Sequence, residues 1–379
     1  MAQCFWICGE KPVSSMVALL LLAVGAGALQ APASRRETFR WSGGGGGDVD
    51  ISYTVAGDVS ASACVVFAPG FGAGAFQFEA ITSLVAERGV CAYCMDWFGQ
   101  GASWPDEARA GSKFGIESWA TQLCDFLASE ALASHETVFV AGNSVGGLTS
   151  AIAAARDGAR CDGLIMLNPT PFWSFWGPDG SPFWAGTLPA PGPLRAFAKA
   201  WFDSLRSPVV VKSLLREVYA TKDACDDALA ERITDAASHP VGPDAFASIL
   251  FSGRARLEFA DALRAVADRN LKLALVYGKE DPWIQPVWGQ RAARRLADAG
   301  AHFDYLEISP SGHCPHHETP RATAAAVNGL LDAWLDDDRP ALDLPAAPVT
   351  EADGRRVSVA RATGAPRDLF ERLVALAPL

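Results

Sequence analysis

The run Thr137-Val-Phe-Val-Ala-Gly142-Asn-Ser144-Val-Gly146-Gly-Leu-Thr-Ser-Ala-Ile-Ala-Ala-Ala155 decides the fold. Val138 to Ala141 form an unbroken apolar stretch, the pattern of a strand buried on both faces. From Gly147 to Ala155 the residues are small and apolar enough for a buried helix. Between the two lies Gly142-Asn-Ser-Val-Gly146, a GxSxG turn. On its own that pattern is weak, because glycine and serine are common. Flanked by a strand and a helix, it reads as an elbow that lifts a serine hydroxyl above the edge of a sheet. The two glycines leave room for the strand and helix to approach closely.

Working outward, buried-type strands and helices take turns. Ala63–Ala68, Val90–Asp96, Gly163–Asn168, Leu271–Tyr277 and His302–Ile308 read as strands. Gln77–Arg88, Ile116–Leu132, Val145–Arg156, Pro286–Ala297 and Thr319–Leu335 read as helices. This alternation predicts an α/β fold with a mostly parallel central sheet and helices on both faces. Val49–Gly57 alternates like an edge strand, after a flexible joint at Gly43–Gly47. The rhythm breaks from Thr170 to about Val266, a helical insertion of the kind that forms a lid. The predicted organisation is a leader over 1–40, core over 41–169, lid over 170–266, core over 267–336 and a Pro/Ala-rich tail over 337–379. Within that tail, Asp368–Leu376 has amphipathic helical spacing.

Composition removes several classes of function. Of 379 residues, 50% are hydrophobic and 20% charged, so the chain can build a full core and is not disordered. A net charge of −11 without a Lys/Arg cluster argues against nucleic acid as a partner. No apolar run is long enough for an integral membrane protein. The nine cysteines are scattered through apolar runs and read as small buried hydrophobes rather than a disulfide framework. Cys91 and Cys94 form a CxxC, but on a strand residues three apart point to opposite faces and cannot share a metal.

A serine hydroxyl needs a base, and the base an orienting acid. In the α/β-hydrolase fold these follow the nucleophile in the order acid, then histidine. Asp281, in Tyr277-Gly-Lys-Glu-Asp-Pro-Trp283 after one strand, is the expected acid, with its neighbour Glu280 competing. His313, in Ser309-Pro-Ser-Gly-His-Cys-Pro315 after the next strand, is the expected base. All three groups then sit at the carboxyl edge of the sheet, where open α/β folds place their chemistry. The loop Ala68-Pro-Gly-Phe-Gly-Ala-Gly74 is expected to supply the Phe71 amide to an oxyanion hole, and Val145, after the nucleophile, the second amide. Asp96 reads as a residue that fixes its loop by hydrogen bonds. His316 and His317, next to His313 and Cys314, match no closed zinc pattern, so no metal and no cofactor are expected.

Together, AGNSVGG, LNPTPFWSFW, YGKEDPWIQPVWG and SPSGHCPHHETP resemble the pheophytinase and chlorophyll-dephytylase group of plastid α/β-hydrolases. The resemblance runs from about Ala63 to Leu335 and departs at His317, where that group usually carries an acid. It implies hydrolysis of the phytyl ester of a chlorophyll-type pigment. The residues agree independently: Phe172, Trp173, Phe175 and Trp176, with Phe183 and Trp184, would make an aromatic trough for an isoprenoid tail and a flat ring. Such a substrate leaves room for peripheral association with the thylakoid membrane or with pigment proteins. A generic lipase or carboxylesterase, an acyltransferase and a non-enzymatic receptor are the alternatives.

The N-terminus reads as an address. Met16-Val-Ala-Leu-Leu-Leu-Leu-Ala-Val-Gly-Ala-Gly-Ala-Leu29 has signal-peptide character and is followed by the basic Ser34-Arg35-Arg36. This order resembles the two-part leader of plastid proteins in secondary-endosymbiotic algae, with plain secretion as the alternative. Met16 would also serve as a start.

Overall fold

Val65 and Phe67 point to one side of their strand and Cys64, Val66 and Ala68 to the other, and both sets are buried in separate apolar clusters. A strand sealed on both faces must lie inside a sheet between two helical layers. The computed structural model describes residues 34–362, apart from 46, 108–111, 174–190 and 337–341, and shows that arrangement. In chain order the strands are β1 (Arg35–Trp41), β2 (Val49–Ala56), β3 (Ala63–Ala68), β4 (Cys91–Met95), β5 (Thr137–Asn143), β6 (Gly163–Leu167), β7 (Lys272–Gly278), β8 (Phe303–Ser309), β9 (Val349–Thr350) and β10 (Arg356–Arg361). They form one ten-stranded sheet in the order β1-β2-β4-β3-β5-β6-β7-β8-β10-β9. From β4 to β8 every pairing is parallel, and the flanking pairings are antiparallel.

The core helices are α1 (Glu79–Ala86), α2 (Ile116–Leu127) and α3 (Val145–Ala154). The lid contributes α4 (Gly192–Leu205), α5 (Pro208–Val218), α6 (Asp227–Ala237) and α7 (Gly242–Leu250). The core resumes with α8 (Phe259–Asp268), α9 (Pro286–Asp298), α10 (Pro315–Glu318) and α11 (Pro320–Leu335). One face of the sheet is covered by α2, α3, α8 and α9 and the other by α1 and α11. Among the described residues no helix is long and apolar enough to cross a membrane.

The lid helices start where local chemistry dictates. Ser207 accepts a hydrogen bond from the Val210 amide ahead of Pro208, and Asp226 from that of Leu229, so each satisfies an amide that its helix leaves unpaired. Helices α4 and α7 pack through Ala198, Phe202, Phe246 and Leu250. Two of the contacts that fasten the lid to the core involve its outer helices and loops. Arg232 forks onto Glu79, at 2.8 Å for one arm, with its guanidinium 5.0 Å from the Phe76 ring. Trp104 stacks on His239 at 4.8 Å.

Five sequence expectations need correction. The leader cannot extend to residue 40, because Arg35–Trp41 is a strand: Trp41 is buried and Arg36 pairs with Asp96 at 3.0 Å. Gly43–Gly45 and Gly47 lie in the connection of the hairpin between β1 and β2 rather than in a joint between units, and β2, flanked by β1 and β4, is not an edge. The lid ends before α8, since Phe259, Ala262, Leu263 and Val266 belong to the main core. The tail is structured as far as it is described, because β10 extends the sheet beside β8 and buries Val357 and Val359. Asp368–Leu376 and residues 1–33 lie outside the described residues.

The CxxC reading agrees with the structure: Cys91 and Cys94 enter opposite apolar clusters, and burial pushes both thiols above their ordinary pKa. The seven cysteines among the described residues carry no disulfide.

Candidate active site

The elbow is built by close packing that side chains would block. A Cβ on Gly142 would sit 2.4 Å from the Gly146 carbonyl oxygen, and one on Gly146 2.2 Å from that of Ala68. Strand β5 therefore turns abruptly into α3, and Ser144 at the apex takes φ 55° and ψ −121°. A non-glycine residue in that region stores strain, which persists only where its surroundings over-determine it. Here the Ser144 amide donates to Leu167 O at 3.0 Å, and the Ser144 carbonyl accepts from Gly147, Leu148 and Thr170.

The acid and the base come from the next two loops along the sheet. His313 Nδ1 and Asp281 Oδ2 are 2.7 Å apart, and both side chains are buried. Asp281 is held on every side. Its Oδ1 accepts from the amides of Trp283 at 2.8 Å and Ile284 at 3.0 Å, while Oδ2 also accepts from Asn168 Nδ2 at 2.8 Å. Glu280 turns elsewhere: it accepts from Ser309 Oγ at 2.7 Å and from the Ser311 amide at 2.8 Å. Of the two neighbouring carboxylates, Asp281 therefore meets the imidazole and Glu280 anchors the loop that carries it. His313 reaches the elbow through its backbone, where Asn143 Nδ2 donates to the His313 carbonyl at 2.9 Å. Among the described residues the side chain of His313 hydrogen-bonds to Asp281 alone, so Nε2 carries no hydrogen bond. Among the described residues no hydrogen bond joins the Ser144 hydroxyl to His313, and such geometry in the absence of substrate does not argue against a nucleophile–base pair.

The Pro69–Ala75 loop is pinned from one neighbouring segment. Trp97 Nε1 donates to Pro69 O at 2.7 Å, Gln100 Oε1 accepts from the Gly72 amide, and Asp96 Oδ1 accepts from the Ala75 amide at 2.7 Å. Asp96 is buried, which raises its pKa; amide donors and Arg36 act in the opposite sense. Its role is the structural one expected. Among the described residues neither the Phe71 nor the Val145 amide donates a hydrogen bond, which suits groups meant to meet an oxyanion.

Of the aromatic lid residues, Phe172 is 56% exposed and lies edge-on to Trp288. Trp173 is partly buried, its ring 4.8 Å from that of Phe71 and its Nε1 donating to Ile249 O at 3.4 Å, so it packs the lid onto the Pro69–Ala75 loop. Both line a cleft with Leu148, Leu257 and Phe259. Phe175, Trp176, Phe183 and Trp184 lie outside the described residues. Trp283, 58% exposed and 6.0 Å from the His313 ring, is an aromatic flank that sequence reasoning did not single out. His316 is fully buried against Phe78 at 3.9 Å, and His317 Nδ1 meets the Tyr219 hydroxyl at 3.2 Å.

Sequence reasoning also missed Asn168. It has φ 44°, is fully buried, and accepts from the Gly278 amide through Oδ1 at 2.9 Å while donating to Asp281. An asparagine ending a buried strand immediately before the Pro169-Thr-Pro-Phe-Trp173 run was the available signal, since a buried amide needs partners.

Comparison with known proteins agrees with this geometry. Residues 65–326 match the model of the alpha/beta hydrolase family. The chain is 31% identical to a chloroplastic pheophytinase of Arabidopsis thaliana over 348 residues, covering 82% of this chain and 69% of that one. Among solved structures, a bacterial membrane phospholipase A superposes with a TM-score of 0.57 at 19% identity, over 85% of this chain and 98% of the other. An enol-lactonase from Burkholderia xenovorans superposes with a TM-score of 0.55 at 18% identity, over 75% of this chain and 97% of the other. At those identities the structural likeness speaks for the fold alone. The chain belongs to the alpha/beta hydrolase family and is a pheophytinase-like hydrolase within it.

Proposed function

We propose that this hydrolase is a serine esterase that cleaves the phytyl ester of a chlorophyll-type pigment, releasing phytol and a pigment carboxylate. The observation that carries the reading is the buried contact of His313 with Asp281, 2.7 Å, on a loop tied to the Ser144 elbow. The likeness to a pheophytinase supplies the substrate class.

In this mechanism His313 Nε2 takes the Ser144 proton as Oγ attacks the ester carbonyl. The developing oxyanion is met by the Phe71 and Val145 amides, each such donor being worth about 3 kcal/mol. The imidazolium, its tautomer held by Asp281, then protonates the departing phytol oxygen, leaving an acyl-enzyme. Water, deprotonated by the same imidazole, adds to that acyl group, and Ser144 leaves with the proton. The residues call for no cofactor, and any magnesium enters with the pigment. Burying a C20 tail at about 0.8 kcal/mol per methylene favours binding before ordering costs are subtracted. Phe172 and Trp283, both exposed aromatics, suit the flat ring. We place the protein in the plastid, in keeping with its chloroplastic relative, with its substrate drawn from the thylakoid membrane or from pigment proteins.

The test is to incubate the purified mature chain with pheophytin and chlorophyll side by side and to follow phytol release. Turnover of either, lost in Ser144→Ala by about six orders of magnitude, is the expected result. Turnover of short acyl esters with neither pigment cleaved would reject the substrate, and full activity in Ser144→Ala would reject the nucleophile.

A further inference from the structure

The segment leaving α5, Val218 to Thr221, runs along the loop that carries His313. The His313 amide donates to Val218 O at 2.9 Å, and a Cβ on Gly312 would come within 2.4 Å of the same carbonyl. Glu318, buried, bridges the two segments. Its Oε2 accepts from the Gly312 amide at 2.7 Å and from the Ala220 amide at 3.3 Å, and its Oε1 accepts from the Thr221 amide. Arg355, in the turn between β9 and β10, closes the ring. One guanidinium nitrogen donates to the Glu318 carbonyl at 2.7 Å and another to Thr221 Oγ1 at 3.0 Å.

A carboxylate is costly to bury unless donors surround it, and burial does raise the Glu318 pKa against the amides that lower it. An apolar side chain of the same size would fill the space but leave three amides without an acceptor. The side chain is thus spent on joining two segments that the fold would otherwise leave in mere contact.

We propose that Glu318 is a positioning residue that couples the base of the lid to His313, with Arg355 as its brace, so that the imidazole is aligned only while Val218–Thr221 is seated. This rests on the reading of His313 as the general acid and base. The lid and the proton-transfer group then move as one unit, and a substrate that reseats the lid also sets the catalytic geometry.

The test exploits the leaving group. A nitrophenolate departs without protonation, whereas an alkoxide needs the imidazolium. A nitrophenyl ester and an alkyl ester of one acid are compared in the wild type, Glu318→Gln, Arg355→Ala and His313→Ala. Glu318→Gln keeps the shape but turns an NH2 toward one set of amide donors. Its kcat on the alkyl ester should fall about tenfold further than on the nitrophenyl ester, with KM within about twofold. Arg355→Ala should shift the ratio in the same direction by about threefold, and it stands in if Glu318→Gln does not fold. The ratio does not depend on how much enzyme is folded, so a purely structural role would leave it unmoved. An unchanged ratio in the folded variants, with His313→Ala inactive, overturns the coupling alone. Alkyl-ester turnover at the wild-type rate in His313→Ala overturns the underlying reading.

Discussion

Asp281 and Glu280 are adjacent carboxylates of equal charge, and the structure predicts very different consequences for neutralising them. In Asp281→Asn the side-chain orientation is forced. The carbonyl oxygen must stay on the Oδ1 side to receive the amides of Trp283 and Ile284, at 2.8 and 3.0 Å. The new NH2 then takes the place of Oδ2, facing Asn168 Nδ2 and His313 Nδ1, which lie at 2.8 and 2.7 Å from that oxygen. Asn168 cannot rotate to help, because its own carbonyl holds the Gly278 amide. His313 relieves the conflict by moving its proton to Nε2, which is the tautomer unable to accept from Ser144. A wrong tautomer in intact geometry costs about 10⁴ in kcat. Glu280→Gln loses only anchoring bonds to Ser309 and Ser311, so kcat/KM should stay within about tenfold. The assay is kcat/KM on a soluble activated ester, with Tm measured on the same preparations. The reasoning fails if folded Asp281→Asn keeps more than about one-hundredth of wild-type kcat/KM, or if Glu280→Gln is the worse of the two.

Two further outcomes can be checked. Asn168→Ala removes the donor to Asp281 and the acceptor of the Gly278 amide, and kcat/KM should fall about 10- to 100-fold with a lower Tm; wild-type values of both would deny the residue its role. For His316, burial without a hydrogen-bond partner for either ring nitrogen among the described residues holds the pKa well below its ordinary value. The unfolded chain therefore binds a proton that the folded chain does not. The neutral form contributes its full stability above about pH 6.5, and that stability falls as pH drops below it, by up to about 1.4 kcal/mol per pH unit. His316→Phe should flatten Tm between about pH 5 and 6.5, leaving a residual slope from His317, whose pKa burial also lowers; an unaltered profile would place the titration elsewhere.

Strands β3 to β7 were legible because each carries an apolar run sealed on both faces, a pattern that few other environments produce, and β8, where Asp304 and Glu307 interrupt the run, from its place in the alternation of strands and helices. The outer strands were not. Arg35-Arg36-Glu37-Thr38-Phe39-Arg40 buries one side only, and its charges look like a targeting segment until Arg36 is seen on Asp96. In β10, Val357 and Val359 alternate with exposed residues, a weak signal among prolines and alanines. Helix α8 was lost for a different reason: no change in composition separates it from the lid helices before it. At the site, Ser144, Asp281 and His313 were readable from residue type and chain order. Asn168, Gln100 and Glu318 were not, because what they hold are mainly backbone amides from distant segments, and every residue but proline has one to offer.

Strand β1 limits how far the N-terminus could be trimmed. Trimming anywhere within Arg35–Trp41 would strip the partner from β2, exposing a row of unsatisfied amides and carbonyls to other chains. A cut beyond Arg36 would also take away the guanidinium beside Asp96, whose carboxylate holds the Ala75 amide at the end of the Pro69–Ala75 loop. Any cleavage of the N-terminal segment would therefore have to stop before Arg35 to keep the fold, and a cut only a few residues later would yield a sticky and poorly active product.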